Sequence, residues 1–316
     1  MTAAQNNTKG ILFILIGMIV FSIQDALIKF IYEDTALYEL YLGRTLSAAF
    51  FLFCYMKFTK QKVNFKTHYP LLTTIRIICF FFGFSFFYIS LTYMSLAMAN
   101  ALFFSSPFFV SILAVIFLNE KVGIRRWLAI SAGFIGVFIV LNPDFNEFDY
   151  KKLAPIACAL FYSISMTITK YTSDKDNSYT QMMHLYFGAT IISILFFIFT
   201  GDGQFNTSSD PTFQFIFREW FINPTYAWPI IILMGFIGAL AFFCVFNAYS
   251  IASPSVVSLY EYSLIIWSII IGYILFDNIP TLRTFVGVSI IIGAGIYIYL
   301  REKVKDQMIV TDTPNR

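Results

Sequence analysis

The sequence predicts an all-α membrane protein of ten transmembrane helices, arranged as two inverted five-helix repeats with both termini in the cytoplasm. Three observations lead to this prediction: ten long apolar runs, a strong asymmetry in the placement of lysine and arginine, and a second half that repeats the first. Hydrophobic residues make up 58% of the chain and charged residues only 12%. A soluble domain carries about 25% charged residues, so this chain cannot cover a water-facing surface.

Ten apolar runs are each long enough to cross a bilayer, since about 20 helical residues span a hydrocarbon core about 30 Å thick. Lipid offers the backbone no hydrogen-bond partner, and the runs lack the two-residue alternation of barrel strands, so helices are predicted throughout. The first run exceeds the apolar core of a signal peptide, about 7–15 residues, and we expect it to be retained. The predicted spans are residues 10–32, 37–57, 69–91, 97–118, 124–141, 153–171, 179–200, 226–249, 254–276 and 283–300.

The spans divide into two groups of five. A polar linker over residues 142–152 separates a first repeat, residues 10–141 with helices 1–5, from a second repeat, residues 153–300 with helices 6–10. The longest polar stretch, residues 201–225, is predicted to be an exposed loop with a short amphipathic segment over residues 213–221.

The placement of lysine and arginine predicts the orientation, because both are enriched in the cytoplasmic loops of membrane proteins. With ten spans, 14 of the 21 basic residues fall on the N-terminal side and four on the other, with three inside spans. Both termini are therefore predicted to be cytoplasmic. Five is an odd number, so the two halves must run in opposite directions. The 14 residues are Lys9, Lys57, Lys60, Lys62, Lys66, Lys121, Arg125, Arg126, Lys170, Lys175, Arg301, Lys303, Lys305 and Arg316.

Residues 97–141 read as a diverged copy of residues 252–300. Each copy starts a helix with small residues, has a polar interruption about two turns later, and continues through an apolar run to an acidic or amide turn. Each then enters a helix with glycines, which permit close helix packing. A duplicated, inverted set of spans is typical of carriers that move one repeat against the other.

The segment LAMANALFFSSPFFVSILAVIFLNEKVGIRRWLAISAGFIGVFIVLNP, which begins at residue 96, resembles the fourth and fifth helices of the EamA family in the drug/metabolite transporter superfamily. The segments DALIKF, LGRTLSA and TIRIICFFFGFSFFYISLTYMSLA are similar to its first three helices. The second half is less similar, and Tyr262 stands where relatives often carry proline after Glu261.

The resemblance implies ten helices in two inverted repeats around a central cavity, lined chiefly by helices 1, 3, 4, 6, 8 and 9. The first half is most similar to the branch that includes S-adenosylmethionine and riboflavin importers. The implied function is secondary active transport of a small organic metabolite by alternating access, with or without proton coupling. The implied substrate is S-adenosylmethionine-like, riboflavin-like or an amino-acid-type solute.

Ionisable residues inside spans are costly and are therefore functional candidates. Asp25 in helix 1 and Arg44 in helix 2 lie at comparable depth, so they form either a structural pair or part of a binding site. Arg76 in helix 3 either anchors to headgroups or helix ends, or faces Glu261, at similar depth in helix 9. Glu261 and Asp25 are both candidates to bind substrate or a proton. The acids favour a cationic or zwitterionic substrate and the arginines an anionic one, and the sequence leaves this choice open. Lys29, one turn beyond Asp25, is predicted to reach the outer interface.

Uncharged polar and aromatic side chains complete the candidate site. Amides and hydroxyls can hydrogen-bond substrate or a neighbouring helix, and aromatic rings can stack on substrate or simply pack. Histidine titrates near neutrality, so His184 is a third proton-coupling candidate, with a structural role as the alternative. Pro107 removes a backbone donor and predicts either a broken helix or a kink. The predicted substrate-binding residues are Gln24, Asp25, Arg44, Arg76, Tyr88, Asn100, Ser105, Ser106, Tyr260, Glu261 and Trp267.

The sequence does not predict catalysis, a metal or a cofactor. The two histidines, His68 and His184, are far apart, and a glycine-rich phosphate loop followed by Lys-Ser/Thr is lacking, which argues against an ATP-driven pump. The predicted partners are a small-molecule metabolite and the lipid bilayer, without nucleic acid, for a monomer or homodimer in the bacterial inner membrane. The alternatives are a membrane-embedded enzyme acting on lipid or prenyl donors, which would show clustered acids at a membrane face, and a non-transporting receptor or scaffold, in which an inverted repeat has no use.

Overall fold

The computed structural model describes residues 3–61, 65–120, 122–141 and 150–311, and every regular element within them is a helix. Residues 142–149 of the predicted linker lie outside this part of the chain, as do Lys62, Lys121 and Arg316 from the charge count. A single turn of 3₁₀-helix, Tyr150–Lys152, precedes α7. The helices are α1 (Ala3–Ile31), α2 (Leu37–Phe58), α3 (Pro70–Ser90), α4 (Leu96–Phe103), α5 (Ser106–Leu118), α6 (Ile124–Leu141), α7 (Leu153–Thr172), α8 (Ser178–Thr200), α9 (Pro211–Phe217), α10 (Ala227–Ile251), α11 (Pro254–Tyr260), α12 (Ser263–Phe276) and α13 (Leu282–Thr311).

Seven helical segments of the described chain are long and apolar enough to cross a membrane. Two shorter apolar helices, Trp127–Val140 and Leu282–Tyr297, lie within α6 and α13. The 22-residue helix α2 is outside both groups and carries Glu39, Arg44 and Lys57. The chain is therefore an all-helical, multi-pass membrane protein. The seven segments are Asn7–Ile31, Pro70–Ser90, Leu96–Leu118, Tyr150–Thr172, Ser178–Thr200, Ala227–Ile251 and Val256–Phe276.

The fourth and ninth predicted spans are each broken near the middle. Helix α4 ends at Phe103 and α5 begins at Ser106, with Pro107 in its first turn. Proline suits this position because the first turn of a helix has no intrahelical partner for its N–H groups. The sequence predicted either a kink or a break at Pro107, and the structure shows a break. Span 9 divides in the same way into α11 and α12, with Glu261 between them.

Both broken spans end with the same kind of cap. Asn119 follows α5 with a φ of 52°, and Asp277 follows α12 with a φ of 51°. Asn and Asp are the non-glycine residues that best tolerate this left-handed conformation, which lets their backbone N–H groups bond to the last carbonyls of the helix. The two spans therefore share a break and a terminal cap.

The longest helix contacts are made between the two halves. Helix α1 packs along α10 and α7 packs along α3, while α2 packs on both α8 and α10. Helix α6 packs along α13 through glycine: a Cβ on Gly136 would lie 2.7 Å from the Gly287 carbonyl oxygen, and one on Gly287 would lie 2.6 Å from that of Gly136. The two backbones therefore touch directly, as small residues permit between membrane helices.

Loops from the two halves meet at both ends of the bundle. At the end that holds the N-terminus, called the N-terminal face below, Tyr69 donates its hydroxyl to Asp174 at 3.0 Å and His68 pairs with Asp176 at 3.0 Å. Burial opposes ionisation of Asp176, but hydrogen bonds from Thr67 and His68 outweigh it and hold the pKa of this carboxyl below its usual range.

The other end, called the opposite face, is covered by residues 201–226. A short helix, α9, begins at Pro211 and overlaps the first part of the predicted amphipathic segment, residues 213–221. The Thr212 N–H donates to the Asp210 carboxylate at 2.8 Å and so caps the start of this helix. Here Tyr226 donates its hydroxyl to Asp34. Because each face is joined by loops of both halves, the bundle is tied at its two ends and its core is enclosed.

Candidate functional site

A small cavity of about 20 Å³, with room for about one water molecule, lies between α1, α3, α4, α7 and α12, and all of its lining residues are buried. Five of its nine lining residues are aromatic, and Asp25 is the one carboxylic acid among them. These helices correspond to spans 1, 3, 4, 6 and 9, five of the six that the family resemblance implies. The lining residues are Met18, Phe21, Asp25, Phe84, Phe87, Asn100, Phe103, Tyr162 and Leu264.

Asp25 is 3% exposed and shares the cavity wall with Asn100 of α4. The Asn100 amide donates to the Ser268 hydroxyl at 2.8 Å, which joins the first broken span to the second. Its other amide atom, Oδ1, is buried without a hydrogen-bond partner. An unpartnered buried polar atom costs free energy, and a ligand in the cavity would remove that cost. Asp25 and Asn100 therefore form the polar part of an otherwise apolar cavity.

Arg44 lies beside the cavity and is already engaged. Its guanidinium donates to the Tyr88 hydroxyl and stands 4.9 Å from the Tyr41 ring centre and 5.2 Å from that of Tyr88. Gln24 also donates to the Tyr88 hydroxyl, at 3.4 Å. The predicted direct pair between Asp25 and Arg44 is not among the ion pairs of the described residues, and the two interact at longer range. Arg44 thus belongs to a cation–π and hydrogen-bond cluster between α2 and α3.

Glu261 lies in the break between α11 and α12 and is 0% exposed. Its Oε1 atom accepts hydrogen bonds from the hydroxyls of Tyr162 and Tyr249, each at 2.6 Å. Its Oε2 atom accepts from the Ser106 hydroxyl at 3.4 Å, at the start of α5. Three helices therefore direct hydroxyl groups at one carboxylate. Burying a charged group without such donors would be expensive, so these residues make the position tolerable.

Tyr162 connects the carboxylate to the cavity. Its ring forms part of the cavity wall, 5.2 Å from the Phe103 ring centre, while its hydroxyl donates to Glu261. A ligand that displaces the Tyr162 ring would therefore change the hydrogen bonding of Glu261. Tyr162 and Tyr249 were not among the predicted site residues. Their position in the middle of a span could have identified them, because a tyrosine hydroxyl in lipid needs a polar partner.

Arg76 lies away from Glu261. Its guanidinium donates to the Gln181 side-chain oxygen at 2.6 Å and to the Gln181 backbone oxygen at 3.3 Å, in the first turn of α8. Gln181 in turn donates to the Asp176 backbone oxygen at 2.8 Å. The sequence predicted that Arg76 either anchors at a headgroup or helix end or pairs with Glu261. In the structure it is anchored at the start of α8.

The remaining predicted residues are spread over other parts of the bundle. Ser105, between α4 and α5, donates to the Leu102 carbonyl at 3.0 Å. Tyr260 lines a separate, wider groove between α1, α11 and α13. Trp267 is half-buried on α12 and is absent from the cavity lining. A ring nitrogen of His184 bonds to the Phe65 carbonyl at 2.8 Å, in the loop before α3. This contact fits a structural role for His184, which was the alternative to proton coupling.

Comparison with known proteins identifies the family. The sequence profile of the EamA-like transporter family matches residues 8–142 and 152–301. An S-adenosylmethionine uptake transporter from Rickettsia prowazekii (strain Madrid E) is 25% identical over 95% of this chain and 96% of its own length. A riboflavin transporter from Vibrio cholerae is 28% identical over 63% of this chain and 60% of its own length. A crystal structure of a protein at 12% identity has a TM-score of 0.65, covering 95% of this chain and 98% of its own, which shows a shared fold.

The two profile matches together cover most of the sequence, and the relatives are bacterial transporters rather than enzymes. The helices described above supply the membrane spans that such a protein needs. The chain is a multi-pass bacterial membrane transporter of small metabolites, and it belongs to the EamA-like transporter family.

Proposed function

We propose that the protein is a secondary active transporter that works by alternating access between two inverted five-helix halves, residues 10–141 and 153–300. The seven long apolar segments, the two shorter ones and α2 add up to ten spans. The excess of lysine and arginine on the N-terminal face supports cytoplasmic termini. The N-terminal face is then the inner side of the membrane and the opposite face the outer side.

The packing of the helices supports the inverted repeat. Exchanging the halves replaces α1 by α7 and α3 by α10, so the contact of α1 with α10 becomes that of α7 with α3. Both are among the most extensive contacts in the bundle. The same exchange swaps α6 with α13 and α2 with α8. The contact within each of these two pairs is therefore unchanged by it. A two-fold relation of this kind is the architecture from which alternating access is built.

The charge of the cavity supports a cationic substrate. Asp25 is its one carboxylic acid, and Arg44 is already bound by Tyr88 and flanked by two rings outside the cavity. A carboxylate among five aromatic rings suits an organic cation with a flat ring, since the rings attract positive charge on their faces. This single arrangement carries the proposal.

S-adenosylmethionine has this chemistry: a sulfonium cation attached to an adenosine group. The R. prowazekii relative carries that substrate in its name, whereas the V. cholerae relative is named for riboflavin, an uncharged flat heterocycle. We therefore place the substrate in the S-adenosylmethionine class. The cavity is closed down to about 20 Å³ in this structure, so the substrate would enter a widened state, in which Asp25 faces the cation, Asn100 hydrogen-bonds a polar group, and the phenylalanine rings stack on the heterocycle.

Glu261 is proposed as the residue that exchanges a proton. Its three hydroxyl partners can accept or donate as the carboxyl gains or loses a proton, so both charge states can be satisfied without moving the backbone. Tyr162 couples this exchange to occupation of the cavity. The mechanism uses binding, proton exchange and rocking of the two halves.

The test is uptake of radiolabelled S-adenosylmethionine into proteoliposomes that contain the purified full-length chain. We expect saturable uptake that excess unlabelled S-adenosylmethionine abolishes and excess riboflavin leaves largely intact. A thermal-shift series on the detergent-purified protein gives an independent measure, because a ligand that binds only the folded state raises the melting temperature. Stabilisation by riboflavin without stabilisation by S-adenosylmethionine would overturn the assignment of a cationic substrate.

A further inference from the structure

Two lysines occupy matching places in the two halves. Lys29 is in the last turn of α1, the first helix of the first half, and Lys170 is in the last turn of α7, the first helix of the second half. Both side chains are half-buried. They lie at opposite ends of the bundle, Lys29 at the opposite face and Lys170 at the N-terminal face.

The ammonium group of Lys29 holds the turn between α3 and α4. It donates to the Leu91 carbonyl at 2.9 Å and to the Met94 carbonyl at 2.8 Å. It also stands 6.0 Å from the ring centre of Phe276, the last residue of α12. Lys29 therefore joins its own helix to a turn of the first half and to the end of the broken span of the second half.

The ammonium group of Lys170 makes the corresponding contacts at the other end. It donates to the Ser250 carbonyl at 3.0 Å, in the last turn of α10 just before α11. It also interacts electrostatically with Glu120, which follows α5. Lys170 therefore joins its own helix to the α10–α11 turn of the second half and to the end of the broken span of the first half.

The cavity lies between these two contacts. Two of its lining residues are close to the Lys29 contact: Asp25 lies one helical turn before Lys29, and Phe87 lies one turn before the acceptor Leu91. On the other side, Tyr162 lines the cavity two turns before Lys170, and Tyr249, which binds Glu261, directly precedes the acceptor Ser250. A cation on carbonyls at a helix C-terminus is favourable but is made of few bonds, so it can break and re-form.

We propose that Lys29 and Lys170 are paired gate residues, Lys29 closing the cavity toward the opposite face and Lys170 closing it toward the N-terminal face. In the structure both contacts are made and the cavity is enclosed. Opening to one side requires release of one lysine while the other stays bound. The proposal rests on the proposed alternating access and adds the residues that control it.

Cys158 provides a native reporter of access. It is 0% exposed in α7, one helical turn before Tyr162, which lines the cavity. A background with Cys54→Ala, Cys79→Ala and Cys244→Ala leaves Cys158 as the one thiol of the chain. Its reaction rate with a membrane-impermeant maleimide is measured in right-side-out and inside-out vesicles, which present the two faces separately.

Lys29→Met and Lys170→Met keep the length of the side chain and remove its charge. We expect Lys29→Met to increase labelling of Cys158 at least tenfold from the opposite face only, and Lys170→Met to do so from the N-terminal face only. Lys29→Arg and Lys170→Arg, which retain a cation, should label like the parent. Lys57→Met is the matched control, because Lys57 is also in the last turn of a helix but is exposed, and its labelling should be unchanged.

Labelling that rises equally from both faces in either variant would overturn the gate proposal and indicate a structural role. Size-exclusion chromatography detects a methionine variant that fails to fold, and the arginine variant then provides the test instead. If an arginine variant shows increased labelling from one face, a cation alone does not form the gate. Opposite labelling changes in vesicles that fail to take up S-adenosylmethionine would support the gates and reject only the proposed substrate.

Discussion

Two of the buried acids of the bundle, Asp25 and Glu261, have different surroundings. Asp25 stands in the wall of an aromatic cavity, next to Asn100 with its unpartnered oxygen. Glu261 lies behind that wall and receives three hydroxyl groups from three helices. A carboxylate has about four acceptor sites, so Glu261 is nearly saturated. The comparison indicates that depth in the membrane alone does not assign a role: an acid facing a cavity can bind a ligand, whereas one enclosed by hydroxyls is suited to holding or exchanging a proton.

The largest effect is expected from Asp25→Asn. The asparagine side chain has the same shape but no charge, so a cationic substrate would lose its counter-ion in a dry cavity. Removing one partner of a buried charge pair costs roughly 2–5 kcal/mol, or about 30-fold or more in the dissociation constant. Isothermal titration calorimetry of the detergent-purified protein with S-adenosylmethionine measures this change in dissociation constant. Unchanged affinity in a folded variant would remove Asp25 from the binding site and make the two acids alike.

Glu261→Gln should separate coupling from binding. The glutamine oxygen can still accept from Tyr162 and Tyr249, so the fold is preserved, but the side chain can no longer exchange a proton. We expect a pH gradient to stop driving accumulation in proteoliposomes, while counterflow exchange of substrate persists. Loss of both activities would show instead that Glu261 binds substrate directly, and full retention of both would exclude it from the mechanism.

The two tyrosines on Glu261 should differ from each other. Tyr162→Phe and Tyr249→Phe each remove one hydrogen bond to a charged group, which contributes roughly 1.5–3 kcal/mol to stability. Only Tyr162 lines the cavity, so only Tyr162→Phe should also weaken binding of S-adenosylmethionine. Melting temperature and affinity are measured on both variants. Equal effects on affinity would mean that the cavity and the Glu261 cluster are not linked through Tyr162.

The smallest effect is expected from Ser106→Ala. Its hydroxyl lies 3.4 Å from Glu261 Oε2, at the long end of hydrogen-bond distances, and Tyr162 and Tyr249 remain in place. We expect a change in unfolding free energy of about 0.5 kcal/mol and a near-normal transport rate. A loss of transport as large as that of Glu261→Gln would assign Ser106 a direct part in proton exchange.

The sequence was sufficient to predict that the chain folds into long apolar helices. Run length and composition predicted the long spans, and Pro107 marked the first break. Asp25 and Asn100 were named as candidates and meet in one cavity. Spacing along a helix predicts depth because each residue adds a fixed rise, and this holds whatever the helix packs against.

The direction of each side chain around its helix was harder to predict. Arg76 and Glu261 lie at similar depth in sequence, yet Arg76 bonds to Gln181 and Glu261 to Tyr162. The break at Glu261 also lacks the proline that marked the first one. Both outcomes depend on how the helices are rotated against their neighbours, which is decided by packing between the halves rather than by the local sequence.

The bare contact between Gly136 and Gly287 has a consequence for motion. Where helices interlock through long side chains, a change in crossing angle must first unseat those side chains, which raises the barrier to rocking. Helices α6 and α13 instead meet backbone to backbone at the two glycines, with the Ile291 and Val140 side chains packed beside them. This pair joins the last helix of each half, away from the cavity. Under the proposed alternating access, we expect this pair to act as the pivot, at which the angle between the halves changes while the distance between them stays fixed.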